Sequence, residues 1–451
     1  MPDLPIAGLP VLVAAGREEA LRPLLVQLVV IILAARAGAA VARRLRQPSV
    51  VGEIVAGLVL GPSVFGALAP DWFAAVFGRG AGGSAAALEA SLTSFSQVGL
   101  VLLLFMIGIE FDFSHIRRQG RTAAAVSVAG VALPFALGLG LAAVMAPRLE
   151  ALGAPAGIDP RSFALFLGTA MSITAIPILG RILIEMALQH TALGALVIAA
   201  AACDDAVGWT LLAAVSALAA GDFEPAAIAR MVGATLLFAG FMLLVVRPLV
   251  LPRLERAASG DGPPRLSLGM LSLLFAALFA AAWVTSRIGI FAIFGAFLLG
   301  AALSGRPRVR EAVAAHLSDV VTVLFLPIFF TFTGLRTNMG SLGSLEAWAW
   351  CAAVFAVAVL GKWGGCGLAA RLAGLPAGEA ACVGVLMNTR ALMELIVINV
   401  GLDLGVIPPA VYCMLVIMAI GTTLMATPLA ARLLRGTPHE AALEARGFLR
   451  G

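Results

Sequence analysis

Long apolar stretches recur along this chain and are separated by short segments that carry most of its charge. Inside a bilayer the backbone cannot hydrogen-bond to water, so stretches of this kind must fold as helices. With 61% hydrophobic and 12% charged residues, the composition indicates an all-α polytopic membrane protein. Hydropathy predicts about thirteen transmembrane helices, at residues 23–42, 50–66, 95–111, 122–146, 163–180, 193–220, 231–251, 266–286, 288–304, 320–335, 347–370, 380–402 and 410–434.

Basic residues are distributed unequally between alternate loops, with nineteen in one set and eight in the other. The positive-inside rule therefore predicts an integral inner (plasma) membrane protein with its N-terminus outside and its C-terminus in the cytoplasm. All but one of the 30 basic residues are arginines, mostly in these short loops. The net charge of +5 is thus explained by topology, and no nucleic-acid partner is expected.

Residues that could support catalysis or hold a cofactor are poorly placed. The cysteines fall within apolar runs and lack metal-ligand spacing, at Cys203, Cys351, Cys366, Cys382 and Cys413. The histidines lie in predicted loops or in the tail, at His115, His190, His316 and His439. We therefore expect neither an enzyme nor a cofactor.

The chain contains an internal repeat. Three pairs of segments are similar, and in each pair the second copy lies seven spans after the first. The pairs are Ile54–Gly61 with Ile293–Gly300, Phe105–Asp112 with Thr331–Asn338, and Gly168–Ala175 with Gly384–Ala391. An odd offset inverts the second copy relative to the membrane. The pattern therefore predicts inverted-topology repeats, which are typical of secondary transporters.

Two adjacent carboxylates, Asp204 and Asp205, are the only charged residues between Leu193 and Ala220. A carboxylate at the bilayer centre costs roughly 2.5 kcal/mol or more, so the pair indicates an ion or proton site. The alternative is an interhelical hydrogen bond in a bundle core. Lys362, the only lysine, lies in a second apolar run and could compensate these charges.

Polar residues in the fifth and twelfth spans predict broken helices. Ser172 and Thr174 precede a proline, and Asn388 and Arg390 occupy the matching place in the repeat, with Glu394 four residues further on. Hydroxyl, amide and charged groups can compensate the freed helix ends. The alternatives are hydroxyls bonded to their own helix and an ion pair with a structural role only.

Several motifs together resemble the monovalent cation:proton antiporter-2 family. They are Arg46–Gly66 (RQPSVVGEIVAGLVLGPSVFG), Gly99–Phe113 (GLVLLLFMIGIEFDF), Cys203 with the two aspartates, Gly361 with Lys362, and Asn388–Leu395 (NTRALMEL). The paired aspartates and the lysine are most similar to those of NapA-type sodium/proton antiporters. The potassium-efflux branch of the family carries a cytosolic nucleotide-binding domain, for which the 17 residues after the last predicted span are too few.

The resemblance implies an NhaA/NapA-like fold with two broken, crossing helices. It implies a dimerisation bundle at 23–111 and 266–335 (spans 1–3 and 8–10), a linker helix at 231–251 (span 7), and an ion-transporting core bundle at 122–220 and 347–434 (spans 4–6 and 11–13). Residues 435–451 would form a short cytosolic tail. A homodimer in the lipid bilayer is expected.

The resemblance also implies roles for the site residues. Asp205 would carry the cation and the proton and bind Na⁺ with Asp204 nearby, and Asp204 would pair with Lys362. Thr174 and Ser172 would neighbour this cation and proton site. Arg390 and Glu394, with Asn388, would form a charged group supporting the broken helix, where Ala391 replaces a glycine common in the family.

The expected function is electrogenic exchange of a monovalent cation, Na⁺ or alternatively Li⁺ or K⁺, for protons by alternating access, which would serve pH homeostasis. A K⁺/H⁺ antiporter of the potassium-efflux branch and a sodium-coupled solute symporter remain as alternatives. A channel is disfavoured because no repeated selectivity-filter loop is visible.

Overall fold

The structure, a computed structural model, describes residues 9–45, 47, 49–77, 84–110, 113–153, 157–189, 191–219, 225–258, 264–390 and 392–445. Within these ranges the protein is helical and contains no strand. The helices are α1 (Leu9–Arg44), α2 (Ser49–Leu60), α3 (Phe65–Leu68), α4 (Pro70–Phe77), α5 (Ser84–Glu110), α6 (Phe113–Met145), α7 (Pro160–Ser172), α8 (Ile176–Glu185), α9 (Ala192–Ala219), α10 (Pro225–Phe241), α11 (Arg247–Ala258), α12 (Leu268–Ile288), α13 (Ala292–Ala302), α14 (Pro307–Val320), α15 (Leu326–Arg336), α16 (Leu345–Val359), α17 (Gly365–Leu372), α18 (Ala377–Met387), α19 (Leu392–Asp403), α20 (Pro409–Leu433) and α21 (Glu440–Ala445).

Ten helical segments in the described part are long and apolar enough to cross a membrane. The helices α13 and α18 are apolar but shorter. The fifth and twelfth predicted spans each appear as two short helices, α7 with α8 and α18 with α19. The expectation of an all-α membrane fold with two broken helices is therefore confirmed.

Two predicted spans differ in detail from the observed helices. The helix α2 ends at Leu60, because Pro62 has no amide hydrogen and disfavours a helical residue before it, but the second span continues through α3 to Leu68. The tenth span begins at Pro307 rather than at residue 320. Its first turns carry the charged residues of α14, so a hydropathy window does not detect them.

Helix contacts repeat with the offset of seven spans predicted from the sequence. The contact between α2 and α15 corresponds to the contact between α13 and α5. In the same way, the contact between α1 and α2 corresponds to that between α12 and α13, and the contact between α6 and α7 corresponds to that between α17 and α18. At α5 and α13, Gly108 and Gly300 let the backbones touch, since a Cβ on Gly108 would lie 2.3 Å from the Phe297 carbonyl oxygen. The repeat is therefore a property of the packing as well as of the sequence.

The helices pack in two groups. One group contains α1, α2, α5, α12, α13 and α15, and the other contains α6, α7, α9, α16, α17, α18, α19 and α20. At one end the groups meet through Arg336 of α15, which pairs with Asp403 of α19 and donates to the Asn399 side chain at 3.1 Å.

In the part of the chain that the structure describes, three long helical segments contain a π-helical turn, at Met242–Val246, Val321–Phe325 and Leu360–Gly364. Such turns rotate the following residues relative to a regular helix and often occur at functional sites. The third turn, between α16 and α17, contains Lys362.

Candidate functional site

The site lies where the two broken helices meet. Residues 173–175 have no regular structure between α7 and α8, and Ile173 is extended, with φ −79° and ψ 143°. The Ala175 amide donates to the Thr389 carbonyl at 3.2 Å, so this linker is tied to the break between α18 and α19. Pro177 falls in the first turn of α8, where its missing N–H removes no helical hydrogen bond.

Asp204, Thr174 and Lys362 form a fully buried cluster. The Lys362 Nζ lies 2.5 Å from Asp204 Oδ2 and 2.6 Å from Thr174 Oγ1. The Thr174 hydroxyl lies 2.8 Å from the same Asp204 oxygen. Three elements, α9, the linker between α7 and α8, and the π-helical turn, thus each supply one member of the cluster.

The π-helical turn and α6 bring Lys362 into this position. A Cβ on Gly361 would lie 2.8 Å from Pro134 Cα, so the glycine lets the turn press against α6. On α6, Gly130 borders the cluster, since a Cβ there would lie 3.5 Å from Asp204 Oδ2, 3.6 Å from Lys362 Nζ and 2.5 Å from Cys366 Sγ. Gly130 was not predicted as a site residue, because nothing in the sequence distinguishes it among 49 glycines.

Asp205 lies next to this cluster but faces a different environment. It is 2% exposed, and its Oδ1 atom has no hydrogen-bond partner in the part of the chain that the structure describes. It lines a narrow cavity, too small to admit a water molecule, with Ile173, Trp209, Met393 and Val397. Adjacent residues of a helix point about 100° apart, which separates the two carboxylates.

Arg390 supports the crossing of the broken helices. Its guanidinium donates to the carbonyls of Ala170 (3.0 Å) and Met171 (2.5 Å) at the end of α7, and to Glu394 (3.0 Å). A cation at a helix C-terminus stabilises the unpaired carbonyls and the helix dipole. The Arg390 carbonyl accepts a hydrogen bond from the Thr423 hydroxyl at 2.5 Å, a contact that the sequence analysis did not foresee.

Two candidate residues lie at the helix breaks but make no hydrogen bond with either carboxylate in the described structure. Ser172 donates to the Thr169 carbonyl at 2.8 Å, which is the bonding to its own helix that the sequence left open. Asn388 follows the last residue of α18 and is 1% exposed. Its Oδ1 atom has no hydrogen-bond partner among the described residues. Ala391 lies outside them.

The fold and this buried cluster define a class of membrane transporter with inverted repeats and buried polar and charged groups at broken, crossing helices. Residues 29–436 match the family model described as sodium/hydrogen exchanger, transmembrane. The chain belongs to this family of cation/proton antiporters, which are multi-pass integral membrane proteins and not enzymes. This confirms the resemblance drawn from the motifs.

Three relatives illustrate the similarity. The Na⁺/H⁺ antiporter NhaS4 of Synechocystis sp. is 36% identical over 416 residues, covering 92% of this chain and 98% of the relative. Cation/H⁺ antiporter 17 of Arabidopsis thaliana is 35% identical over 415 residues, covering 91% of this chain but only 48% of the relative, so the chain spans about half the length of this plant protein. The Na⁺/H⁺-K⁺ antiporter GerN of Bacillus cereus is 29% identical over 406 residues, covering 89% and 94%.

A solved structure supports the fold independently. The sodium proton antiporter MjNhaP1 from Methanocaldococcus jannaschii superposes with a TM-score of 0.58 at 14% identity, covering 95% of this chain and all of that one. At this identity the comparison establishes a shared fold.

Proposed function

We propose that this protein exchanges a monovalent cation, Na⁺ first of all, for protons, with Asp205 as the carrier and the Asp204–Lys362 pair as its neighbouring charge. The observation that carries the proposal is the buried arrangement of these three residues at the crossing of the broken helices. Asp204 has a lysine and a hydroxyl as partners. For the Asp205 Oδ1 atom the described residues provide no hydrogen-bond donor.

A carboxylate with this degree of burial must be neutralised, because an uncompensated charge is strongly destabilised in a medium of low dielectric constant. A proton and a cation can each neutralise Asp205, and they compete for the same oxygen atoms. Only one of them can therefore be carried in each passage across the membrane. This competition couples the two fluxes without any further device.

Lys362 gives the exchange its charge balance. In the protonated state, Asp205 holds one proton and Lys362 holds another while paired with Asp204. When a cation binds between the two carboxylates, Lys362 loses its partner and can release its proton, which an arginine could not do. Two protons then move against one cation, so the exchange transfers net charge.

We propose that alternating access arises from motion of the helix group containing α6, α7, α9 and α16–α20 against the other group. Trp209 of α9 and Phe294 of α13 have ring centroids 6.4 Å apart, so the wall of the Asp205 cavity touches the second group. The second group would form the homodimer interface through the outer face of α1, where Leu25, Val29 and Leu33 are more than half exposed. We place the N-terminus outside and the C-terminus in the cytoplasm.

K⁺ is a second candidate cation. Carboxylate and hydroxyl oxygens are ligands for hard cations and do not by themselves exclude K⁺. The name of the B. cereus relative includes both Na⁺ and K⁺. The ordering of Na⁺ before K⁺ rests on the paired aspartates and the lysine.

The test is transport by the purified protein in liposomes that contain a pH-sensitive dye and carry an imposed pH gradient. Pulses of Na⁺, Li⁺ and K⁺ are compared at several pH values, with protein-free liposomes as the control. We expect Na⁺ and Li⁺ to dissipate the gradient. A response to K⁺ alone would assign the second candidate, and a requirement for an organic solute would show a symporter instead.

A further inference from the structure

A second cavity, distinct from the one beside Asp205, lies between the two helix groups. It has a volume of about 140 Å³ and is lined by ten side chains, none of them charged. These come from α9, α10 and the start of α13, and they include Trp209, Ala213, Met231, Leu236, Ile290 and Phe294. Among the lining residues, Thr235 has a hydrogen-bond partner within its own helix, because its hydroxyl donates to the Met231 carbonyl at 2.7 Å. The lining therefore suits an apolar occupant and no ion.

The cavity is continuous with the surface that faces lipid. Its wall residue Leu236 is 68% exposed, and the next residue of α10, Leu237, is 77% exposed. In the most apolar part of the span formed by α10 and α11, only 11% of the residues are buried, so this span lies at the periphery of the molecule. In a bilayer the molecules in contact with such a surface are lipid acyl chains.

One end of the cavity lies near an exposed arginine. A Cβ on Gly289 would lie 3.8 Å from Met231 Sδ, so the turn between α12 and α13 touches the first turns of α10. Arg287 lies two residues before Gly289 and is exposed. An arginine at the end of an apolar span attracts the phosphate group of a lipid.

We propose that this cavity is a binding site for one bilayer phospholipid, with an acyl chain between α9, α10 and α13 and its phosphate near Arg287. An acyl chain fills an apolar cavity by dispersion contacts that water cannot supply. The site is separate from the Asp205 cavity, although Trp209 lines both. A lipid bound there contacts both helix groups.

The test uses liposomes in which a phospholipid carries a photoactivatable diazirine in the middle of one acyl chain. After illumination, labelled peptides are located by mass spectrometry. We expect label on the cavity-lining parts of α9 and α10 in excess of the label on the exposed face of α12. The readout needs no transport, so it can fail while the exchange proposal stands, and the reverse also holds.

Matched variants distinguish a bound lipid from the general lipid layer. Ala213→Phe fills the cavity, because Ala213 is 1% exposed and lines it, and should lose the excess label. Ala280→Phe adds the same ring to an exposed position of α12 and should keep it. If Ala213→Phe does not fold, Val232→Trp fills the cavity from α10. Equal labelling of all lipid-facing helices, or unchanged labelling in a folded cavity-filling variant, would overturn the proposal.

A second measurement tests Arg287. Adding phospholipid to the protein in detergent should raise its thermal unfolding midpoint, because a ligand that binds only the folded state stabilises it. Arg287→Gln should reduce both this rise and the photolabel, whereas Arg308→Gln, at an exposed arginine of α14, should change neither. An effect of equal size in the two variants would show that the lipid phosphate does not bind at Arg287.

Discussion

Lys362 and Thr174, which are 188 positions apart in the chain, lie within 2.6 Å of each other and both contact the same oxygen of Asp204. The break in the fifth span and the π-helical turn in the eleventh thus converge on one carboxylate. Because the hydroxyl accepts from the ammonium, its own proton is free to point at Asp204. Thr174 therefore orders the ion pair in addition to filling space.

Thr174→Val tests this relationship. Valine keeps the shape but removes the hydroxyl, which leaves buried charged groups short of a partner at a cost of about 1 to 3 kcal/mol. We expect Na⁺-driven proton flux in liposomes to fall about tenfold, since 1.4 kcal/mol corresponds to that factor. Thr174→Ser restores the hydroxyl and should retain most of the flux. A valine variant as active as the parent, or a serine variant as impaired as valine, would contradict this role.

Asp205→Asn should abolish cation-dependent proton movement while the protein still folds, because the amide keeps the shape of the side chain but cannot exchange a proton. Asp204→Asn should be severely impaired and keep some exchange. The measurement is the rate at which Na⁺ dissipates an imposed pH gradient, with unchanged thermal unfolding as the folding control. A parent-like rate in Asp205→Asn would show that the carrier is another group.

The architecture was predictable from the sequence because it depends on local properties. Long apolar runs specify helices in a bilayer, and Pro177 marks the break in the fifth span. The pair of aspartates stood out because α9 has no other charge between Leu193 and Ala219. These signals need no knowledge of what packs against each helix.

The details of the site depend on contacts between distant segments and were not predictable. The π-helical turn at Lys362 accompanies the packing of Gly361 on Pro134, a residue more than 200 positions earlier. Arg390 was expected to pair with Glu394, but its two hydrogen bonds to the end of α7 follow from the crossing geometry. A sequence pattern shows which residues are polar, and only the packing shows which carbonyls they reach.

Arg390→Ala should destabilise the protein strongly. Removing one partner of a buried ion pair costs about 3 to 5 kcal/mol, and here the end of α7 also loses its cation. Arg148→Ala is the matched control, since the Arg148–Glu346 pair has a similar length of 2.9 Å but side chains 59% and 47% exposed. An exposed pair contributes about 0 to 1 kcal/mol. Thermal unfolding midpoints in detergent compare the two variants, and equal losses would show that Arg390 has no special supporting role.

Gly130→Ala should impair exchange by crowding the cluster. The added methyl group would lie 2.5 Å from Cys366 Sγ, so the sulfur or α6 must move, at a typical cost of about 1 to 3 kcal/mol. Gly140→Ala on the same helix meets nothing within 4 Å and should behave like the parent. Adding Cys366→Ala to Gly130→Ala removes the obstructing sulfur and should restore flux. A double variant as slow as Gly130→Ala would mean that the defect has another origin.

Lys362→Gln tests the charge balance of the exchange. Glutamine can hydrogen-bond to Asp204 but has no proton to release, so any surviving exchange should move one proton per cation and become electroneutral. The measurement is Na⁺-driven proton flux in liposomes whose membrane potential is set by a potassium gradient and valinomycin. Liposomes without valinomycin are the control. Parent flux should follow the potential because two protons move against one Na⁺. Lys362→Arg distinguishes ion pairing from proton transfer, because arginine keeps its positive charge but does not release its proton. This variant should restore the ion pair with Asp204 without restoring the voltage dependence. If parent flux ignored the potential, or if Lys362→Gln followed it equally, the lysine would have a structural role only.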